Sequence, residues 1–297
     1  MIKLKLVEVI YQDNYICFRS NISKDNNTFV FHITRYYPYS LNDIEKKIGD
    51  FNFYRILFHI YAYESIKYFT AGPIDLVDFN VLNDYIDYPS YEFFKECYKK
   101  ILISQWSYEN NLDYVGPEWK YIPSTDVVFG PFNTNMNDKN IMMLCGGGKD
   151  TLLCAKLLEL VKKEKNTNIS MYHESINVYG VHCIQQQISQ DFHTNCKLDS
   201  KYLTHYVMED FFESPIFELL NSQYKHMGAV RAGAENYGSP GCGGPFSTFF
   251  AMINQDSNYL LVAEEKSADI PSVEKNEEIN HQLGKSTKFN LFQKNYI

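Results

Sequence analysis

The sequence lacks several features that define whole classes of protein. It has no dense stripe of lysine and arginine, and its 28 basic residues are outnumbered by 36 acidic ones, for a net charge of −8. Phosphate-backbone binding requires clustered positive charge, so we expect no nucleic acid as a main ligand. No apolar run approaches the ~20 residues that a membrane span needs, so we also expect no membrane partner.

Two further absences bear on the compartment. Residues 1–10 alternate like a strand and lack the continuous apolar core of a signal peptide. The seven cysteines include no C-x-x-C pair, which favours reduced thiols in a cytoplasmic protein. Cys183, His193 and Cys196 have a zinc-like spacing, but no fourth ligand follows at a suitable position, and we do not predict a zinc site.

With 297 residues the chain is long enough for two domains. Residues 1–139 predict an N-terminal α+β domain, in which a β-meander precedes helices at 53–69 and 91–110. The Gly-, Pro- and Asn-rich tract at 111–139 predicts a linker. His59 lies on an apolar helix face, where a hydrogen-bonded core histidine is favoured over a ligand.

From residue 140 to 297 strands and helices alternate. The predicted elements are a strand at 141–144, a helix at 151–164, a strand at 176–182, a strand at 202–208, a helix at 213–226, a helix starting at 245 and a strand at 259–263. This alternation predicts an α/β domain with a parallel sheet and helices on both faces. Ligands bind such sheets at the carboxyl ends of their strands.

A glycine-rich stretch follows the strand at 141–144 and is suited to holding the phosphates of a nucleotide. Its residues are Cys145, Gly146, Gly147, Gly148, Lys149, Asp150 and Thr151. Glycine permits positive φ and close approach of a ligand, and the first turn of the following helix presents N–H groups and partial positive charge to an anion. Lys149 adds a mobile charge, Asp150 can hold Mg²⁺, and Thr151 can donate a hydroxyl. We therefore predict ATP and Mg²⁺ as ligands.

The spacing in this stretch differs from two common nucleotide motifs. Met143 stands where a G-x-x-x-x-G-K-[ST] loop has its first glycine, and G-x-G-x-x-G does not fit either. The nearest pattern is the S-G-G-x-D-S loop of the PP-loop ATP pyrophosphatases, with Cys145 and Thr151 in place of its serines and one more glycine between them. Those enzymes split ATP between the α- and β-phosphates. The plainer alternative is a glycine-rich turn that only caps a helix.

Two later stretches also carry candidate site residues. Residues 228–248 hold six glycines and two prolines and lead into Pro245, Phe246 and Ser247, which predicts a loop that closely approaches a ligand. After the strand at 259–263 come three acids, a lysine and a serine, among them Glu265, Lys266 and Ser267. These residues alone do not decide between a binding site and a solvated charge cluster. Further on, His281 adds a titratable imidazole and Lys285 a charge.

Together these motifs resemble the ATP-dependent UDP-N-acetylmuramoyl-L-alanyl-L-glutamate epimerase family. The similar features are G-G-G-K-D-[ST] at a strand–helix corner, a glycine-rich turn ending in Pro-Phe-Ser, a strand ending in E-E-x-S-A-D, and N-H-Q-x-x-K-S, along with Phe58-His59-Ile60 and Phe93-Phe94-Lys95. The resemblance covers most of the chain. It implies a PP-loop fold of the adenine nucleotide α-hydrolase type, with ATP and Mg²⁺ used to invert the α-carbon of a terminal glutamate on a UDP-muropeptide.

The resemblance also implies roles for single residues. It assigns Cys145 to Thr151 to the nucleotide, Asp150 to the metal, and Pro245, Phe246, Ser247 and Ser267 to the substrate, and it places the catalytic groups at Glu265, Lys266, His281 and Lys285. Adenylation of the carboxylate removes the second negative charge that blocks loss of the α-proton, and a general base then takes that proton. The alternatives are another PP-loop ligase or amidotransferase, or a nucleotide-binding protein without turnover.

Two departures from the family carry expectations of their own. Gly243-Gly244 replaces the family's His-Thr before Pro-Phe-Ser. Family members also continue well past the N-H-Q motif, so we expect the nucleotide-binding domain to be shortened at its C-terminal end. Both changes fall on the predicted substrate side of the site.

Overall fold

The computed structural model describes residues 1–69, 72–100, 107–131, 134–146, 148–177, 182–196, 198–211, 214–221, 244–263, 269 and 286–296. Its strands are β1 (Ile2–Gln12), β2 (Tyr15–Lys24), β3 (Asn27–Tyr36), β4 (Leu76–Asp78), β5 (Glu118–Trp119), β6 (Asn137–Leu144), β7 (Asn168–Asn177), β8 (Lys201–Glu209) and β9 (Ser257–Leu261). Its helices are α1 (Leu41–Ile48), α2 (Asp50–Glu64), α3 (Ile66–Phe69), α4 (Tyr88–Lys100), α5 (Lys149–Lys165), α6 (His182–Asn195), α7 (Pro215–Asn221), α8 (Gly244–Asn254) and α9 (Thr287–Tyr296), with a 3-10 helix at Asn80–Tyr85.

The nine strands form one sheet in the order β5-β4-β1-β2-β3-β8-β7-β6-β9. β6 to β9 are parallel to one another, whereas β1, β2, β3 and β8 pair antiparallel. The protein is therefore a mixed α/β fold. The strands predicted within residues 140–297 are parallel to one another, but they do not form a sheet of their own, because β8 also pairs with the antiparallel strand β3. Because β3 pairs with β8, both predicted domains contribute strands to the same sheet; the boundary at residue 139 stays a prediction.

Two tight hairpins build the antiparallel part, as the β-meander predicted. Gln12 pairs with Tyr15 and Lys24 with Asn27, so each connection has only two residues. Asp25 takes the left-handed conformation (φ 56°) that such turns require. Alternate residues of β2, including Ile16, Phe18 and Ile22, are fully buried, which explains why period-2 patterning located these strands.

The parallel part contains one error of prediction. The strand expected at 176–182 is β7, at 168–177, and residue 182 begins α6. β7 is difficult to recognise because it carries Ser170, His173 and Glu174 among its apolar residues, and these polar side chains are buried by both layers of helices. Burial on both faces removes the alternation that marks a half-exposed strand.

Other predicted elements are confirmed within one to four residues at their ends. The strands at 141–144, 202–208 and 259–263 correspond to β6, β8 and β9, and the helix at 151–164 is α5. The helix predicted at 53–69 consists of α2 and α3. α4 accounts for the start of the helix predicted at 91–110, and α7 for part of that at 213–226, with the remainder partly outside the described residues.

Two layers of helices cover opposite faces of the sheet, as predicted for its parallel part. One face packs in a large aromatic core, to which α2 and α8 contribute Phe53, Phe58 and Phe250. The described helices that share this core are α1, α2, α3, α4, α7, α8 and α9. The other face is covered by α5 and α6, with a small core around Met143, Met171 and Leu158. We call these the thick face and the thin face.

Candidate functional site

The glycine-rich loop leaves the carboxyl end of β6 between two neighbouring strands. β7 and β8 lie on one side of β6 and β9 on the other, so the strand order reverses direction next to this loop. In open α/β sheets the crevice at such a switch point is where ligands bind. The predicted parallel alignment of β9 with β6 is confirmed, with Met143 opposite Leu261.

Hydrogen bonds fix the first residue of the loop. The Cys145 N–H donates to Tyr172 O at 2.8 Å, and its carbonyl accepts from His173 Nδ1 at 2.9 Å and from Ser189 Oγ at 3.0 Å. Cys145 itself is buried. Burial lowers the pKa of His173, opposed by its hydrogen bond to Cys145, so the imidazole is held neutral as a donor. The loop thus starts from a rigid base.

The conformation of the loop gives its glycines a different use from the predicted one. Neither described loop glycine has a positive φ; Gly148 has φ −89° and ψ −176°. A Cβ added at Gly148 meets no heavy atom within 4 Å, and one added at Gly146 meets only Thr151 Oγ1 at 4.0 Å. The fold therefore tolerates a side chain at both positions, and what glycine keeps free is the space above the loop. Gly147 lies outside the described residues.

The start of α5 presents polar groups to this space. Gly148 is the N-cap of α5, and as a glycine it supplies no side-chain acceptor to the first turn of the helix. Asp150 lies in the first turn, half-buried, and Lys149 is exposed. Thr151 is buried against the sheet. A depression of 380 Å³, large enough for a small ligand, lies between this turn and the second half of α6.

No three His, Cys, Asp or Glu side chains converge to hold a metal ion within the described part of the chain. The predicted metal residue Asp150 would therefore need oxygen ligands from the bound molecule itself. Mg²⁺ commonly binds in this way, through one or two carboxylates and the phosphates of a nucleotide. His193 Nε2 donates to Ser200 O and Cys196 Sγ to His193 O, so both have protein partners.

The predicted Pro245-Phe246-Ser247 segment forms the first turn of α8 on the thick face. Phe246 is fully buried and its ring contacts those of Phe93, Phe94 and Tyr296, so it belongs to the aromatic core. Ser247 Oγ donates to Glu174 Oε2 at 2.9 Å. Their assignment to substrate binding stays a prediction.

Ser247 leads to a buried group of charges that sequence analysis did not find. Arg35 bonds to Glu64 and lies 3.1 Å from Glu174, and Lys67 bonds to Glu64 at 2.6 Å and to Glu209 at 2.5 Å. Arg35 and the Glu209 side chain are fully buried, and the other three side chains are at most 11% exposed. We call these five residues the charged cluster.

His205 and Tyr172 extend the charged cluster toward α8. Arg35 Nη1 donates to His205 Nε2 at 3.0 Å, so the imidazole proton lies on Nδ1 and faces the Tyr172 hydroxyl. That hydroxyl donates to Ser247 O at 3.2 Å. Burial and then Arg35 lower the pKa of His205 well below its ordinary value, in keeping with this neutral tautomer.

The charge balance of the cluster is uneven. Three carboxyl groups face two permanent cations, because His205 is neutral. Burial raises the pKa of Glu174 against the effect of Arg35, and raises that of Glu209 against the effect of Lys67. Burial also acts to raise the pKa of Glu64, but Lys67 and Arg35 outweigh it and lower that pKa. Glu64 pairs with both cations, whereas Glu174 pairs with Arg35 and Glu209 with Lys67, which accounts for the opposite directions in which these pKa values move.

Glu174 connects the charged cluster to the loop. On β7 it lies two residues beyond Tyr172, which pairs with the last residue of β6, Leu144. It is thus at the carboxyl edge of the sheet, one residue after His173, which fixes Cys145. Two signals could have indicated the cluster: Glu64 and Lys67 stand three residues apart in an otherwise apolar helical segment, and Arg35 falls on the inward face of β3.

The predicted catalytic residues Glu265, Lys266, His281 and Lys285, and the predicted substrate residue Ser267, lie outside the described residues. Asp269 is described; it accepts from the Thr287 N–H at 2.7 Å and from the Thr287 hydroxyl at 2.9 Å, and so ties the first turn of α9. His59 donates from Nδ1 to Arg55 O and bonds to the Tyr296 hydroxyl, which confirms it as a hydrogen-bonded core residue.

Comparison of the chain with protein-family models, with curated proteins and with solved structures found no match. Among the described helices, none is both long and apolar enough to cross a membrane. The site must therefore be interpreted from its own geometry.

Proposed function

We propose that the protein binds Mg-ATP at the loop from Cys145 to Thr151 and uses it to activate a carboxylate. The observation that carries this proposal is the position of a helix start lined by glycines at the reversal of strand order. Such a position combines the backbone amides and the positive end of a helix with room for a ligand.

The residues present fit a nucleotide. Lys149 and the first amides of α5 would face the phosphates, and Asp150 would share Mg²⁺ with phosphate oxygens. The plainer role of a capping turn is less well supported, because Gly148 offers no side-chain acceptor and no positive φ at the helix start. The open space beside Gly146 and Gly148 has no use in the fold itself.

The proposed reaction is the one that enzymes with a similar glycine-rich loop catalyse. A carboxylate oxygen of the substrate attacks the α-phosphorus of ATP, the bond to the β-phosphate breaks, and pyrophosphate leaves. A loop that resembles those of the PP-loop ATP pyrophosphatases, with spacing unlike G-x-x-x-x-G-K-[ST], supports cleavage at this bond. The substrate we propose is a UDP-muropeptide ending in L-glutamate. A general base removes the α-proton of its acyl-adenylate, a proton is returned on the opposite face, and water then releases the carboxylate and AMP. Another PP-loop ligase or amidotransferase would share the activation step.

The nucleotide products test the reaction type. We expect AMP and pyrophosphate when the protein is incubated with Mg-ATP and a UDP-MurNAc-dipeptide, separated by ion-exchange chromatography. ADP as the main product would contradict the proposal. Saturable ATP binding without any product, across a panel of carboxylates, would instead favour a nucleotide-binding protein without turnover.

A matched pair of glycine variants tests whether the nucleotide binds at this loop. Gly148→Ala and Gly130→Ala both place a methyl group where no heavy atom lies within 4 Å, and neither glycine has a positive φ. Both variants should fold as the wild type does. Only Gly148→Ala should weaken Mg-ATP binding, since its methyl group enters the ligand space. If both variants bind Mg-ATP equally well, the nucleotide does not bind at this loop.

A further inference from the structure

The outer side of α5 carries a stripe of leucines that point away from the protein. Leu153, Leu157 and Leu160 are 62%, 53% and 56% exposed. The opposite side of the same helix buries Thr151, Ala155 and Leu158 against the thin face. At 100° per residue the three leucines are centred opposite those buried residues. We call Leu153, Leu157 and Leu160 the leucine stripe.

The leucine stripe is unusual for a helix at a protein surface. A surface helix normally has one apolar side, and a helix that is apolar all round is normally buried all round. The spacings of four and three residues are those of a seam between two packed helices. Such spacing suits another helix as the covering partner.

The charges at the ends of α5 indicate which helix covers the leucine stripe. Lys149 and Glu164 are exposed, lie close to the line of the leucine stripe, and have opposite signs. In an antiparallel pair of α5 helices, Glu164 of each copy lies beside Lys149 of the other. In a parallel pair, like charges would meet at both ends, which is unfavourable.

We propose that the leucine stripe is an interface between two copies of this chain, with their α5 helices antiparallel about a two-fold axis. With the axis next to Leu157, Leu153 of one copy packs on Leu160 of the other, and the two Leu157 side chains lie together. The same patch is used on both copies, as a two-fold interface requires. This inference does not depend on nucleotide binding.

The flank of the leucine stripe is compatible with this arrangement. Lys156 and Lys163 lie on one side of it, and the two-fold axis brings the same side of each copy together. Both lysines bond to Glu159 of their own helix, at 3.3 and 3.0 Å. Their charges are thereby partly neutralised before the two copies meet.

Sedimentation velocity of the full chain tests the proposal. We expect a monomer–dimer equilibrium across roughly 1 to 100 µM, the range typical of small interfaces. Leu157→Glu should abolish the dimer. Leu291→Glu on α9 is the matched control, because Leu291 is 55% exposed and lies outside the leucine stripe. This control variant should still dimerise, and both variants should keep the wild-type far-ultraviolet circular dichroism.

Two further variants test the antiparallel geometry. Glu164→Lys should weaken dimerisation by roughly 2- to 10-fold, as expected for losing two exposed ion pairs, and combining it with Lys149→Glu should restore it. Leu157→Cys should form a disulfide-linked dimer on mild oxidation, faster than the wild type with its Cys154. A parallel pair would not show the charge-swap rescue.

Three outcomes would overturn the proposal. One is a wild-type chain that remains monomeric at 100 µM. The second is a dimer that Leu157→Glu does not affect. The third is a monomer that binds vesicles of anionic phospholipid through the leucine stripe, because a membrane surface would then be its partner.

Discussion

The two faces of the sheet are covered in very different ways. Seven of the described helices contribute to the continuous aromatic core of the thick face, and the charged cluster lies beneath α2 and α8. In the part of the chain that the structure describes, the thin face is covered by α5 and α6, with a core of eight buried residues and leucines that point outward. The aromatic core of the thick face rests mainly on β1 to β3, whereas the core of the thin face rests on β6 and β7.

This difference separates stability from ligand binding. The thick face buries most of the apolar side chains and holds the charged cluster in a single arrangement. The thin face leaves space beside the start of α5, where the loop from β6 ends. We therefore expect substitutions on the thick face to change the free energy of unfolding, and those beside the loop to change mainly affinity.

The largest expected effect comes from removing the central cation of the charged cluster. Arg35→Met should lower the free energy of unfolding by about 3–5 kcal/mol, because it leaves Glu64 and Glu174 buried without their shared cation. The control is Arg19→Met, which breaks a pair with Glu8 that is more than 40% exposed on both sides and should cost only about 0–1 kcal/mol. Urea unfolding measures both, and equal losses would contradict the buried role of Arg35.

The two cores can be compared by truncating one buried side chain in each. Phe246→Ala on the thick face should cost about 3–5 kcal/mol, and Leu158→Ala on the thin face should fall near the lower end of about 2–5 kcal/mol. The thin face should relax more readily around the lost volume, because α5 is exposed on its other side. A larger loss for Leu158→Ala in urea unfolding would reverse the comparison.

Acid should destabilise the thick face through His59. Burial lowers the pKa of His59 to about 4, against the hydrogen bond to Arg55 O that acts to raise it. Below pH 6.5 the unfolded chain therefore takes up this proton before the folded chain does. Stability should fall by about 1.4 kcal/mol per pH unit from this group, down to about pH 4.

The variant His59→Gln isolates that effect from those of other titrating groups. Its stability deficit relative to the wild type should shrink as the pH falls from 7 toward 4. Unfolding in urea at several pH values gives both curves. Curves that stay parallel over this range would show that His59 titrates normally in the folded protein.

The smallest effect should come from the loop glycines. Gly148→Ala and Gly130→Ala should each change the free energy of unfolding by less than ~1 kcal/mol, because neither methyl group meets a neighbour. Thermal unfolding without ligand measures this. A large loss for Gly148→Ala alone would mean that the fold itself requires this glycine.

Some elements of the sheet were easier to predict from the sequence than others. β1 to β3 alternate cleanly because one side of each strand is partly exposed, and β6 and α5 are marked by a short apolar run and a glycine-rich corner. The loop was therefore found from sequence. β7 was misplaced, since burial on both faces and its polar residues His173 and Glu174 hide its pattern.

The charged cluster could not be predicted because its five residues come from four separate segments of the chain. Arg35, Glu64, Lys67, Glu174 and Glu209 meet only once β3 pairs with β8, a contact between residues more than 170 positions apart. Single polar residues in apolar segments indicate that something is buried, but not which partners neutralise it. The functional assignment of Glu265 and His281 remains a prediction.

Isothermal titration calorimetry with Mg-ATP tests the central claim most directly. The account predicts saturable binding at one site per chain. Removing Mg²⁺ and replacing Asp150 with Ala should weaken this binding to a similar extent. Gly148→Ala should also weaken it, and Gly130→Ala should leave it unchanged. Bound ligand should also raise the melting temperature of the wild type by mass action. An absence of saturable heat together with an unchanged melting temperature at millimolar Mg-ATP would contradict the assignment of the loop.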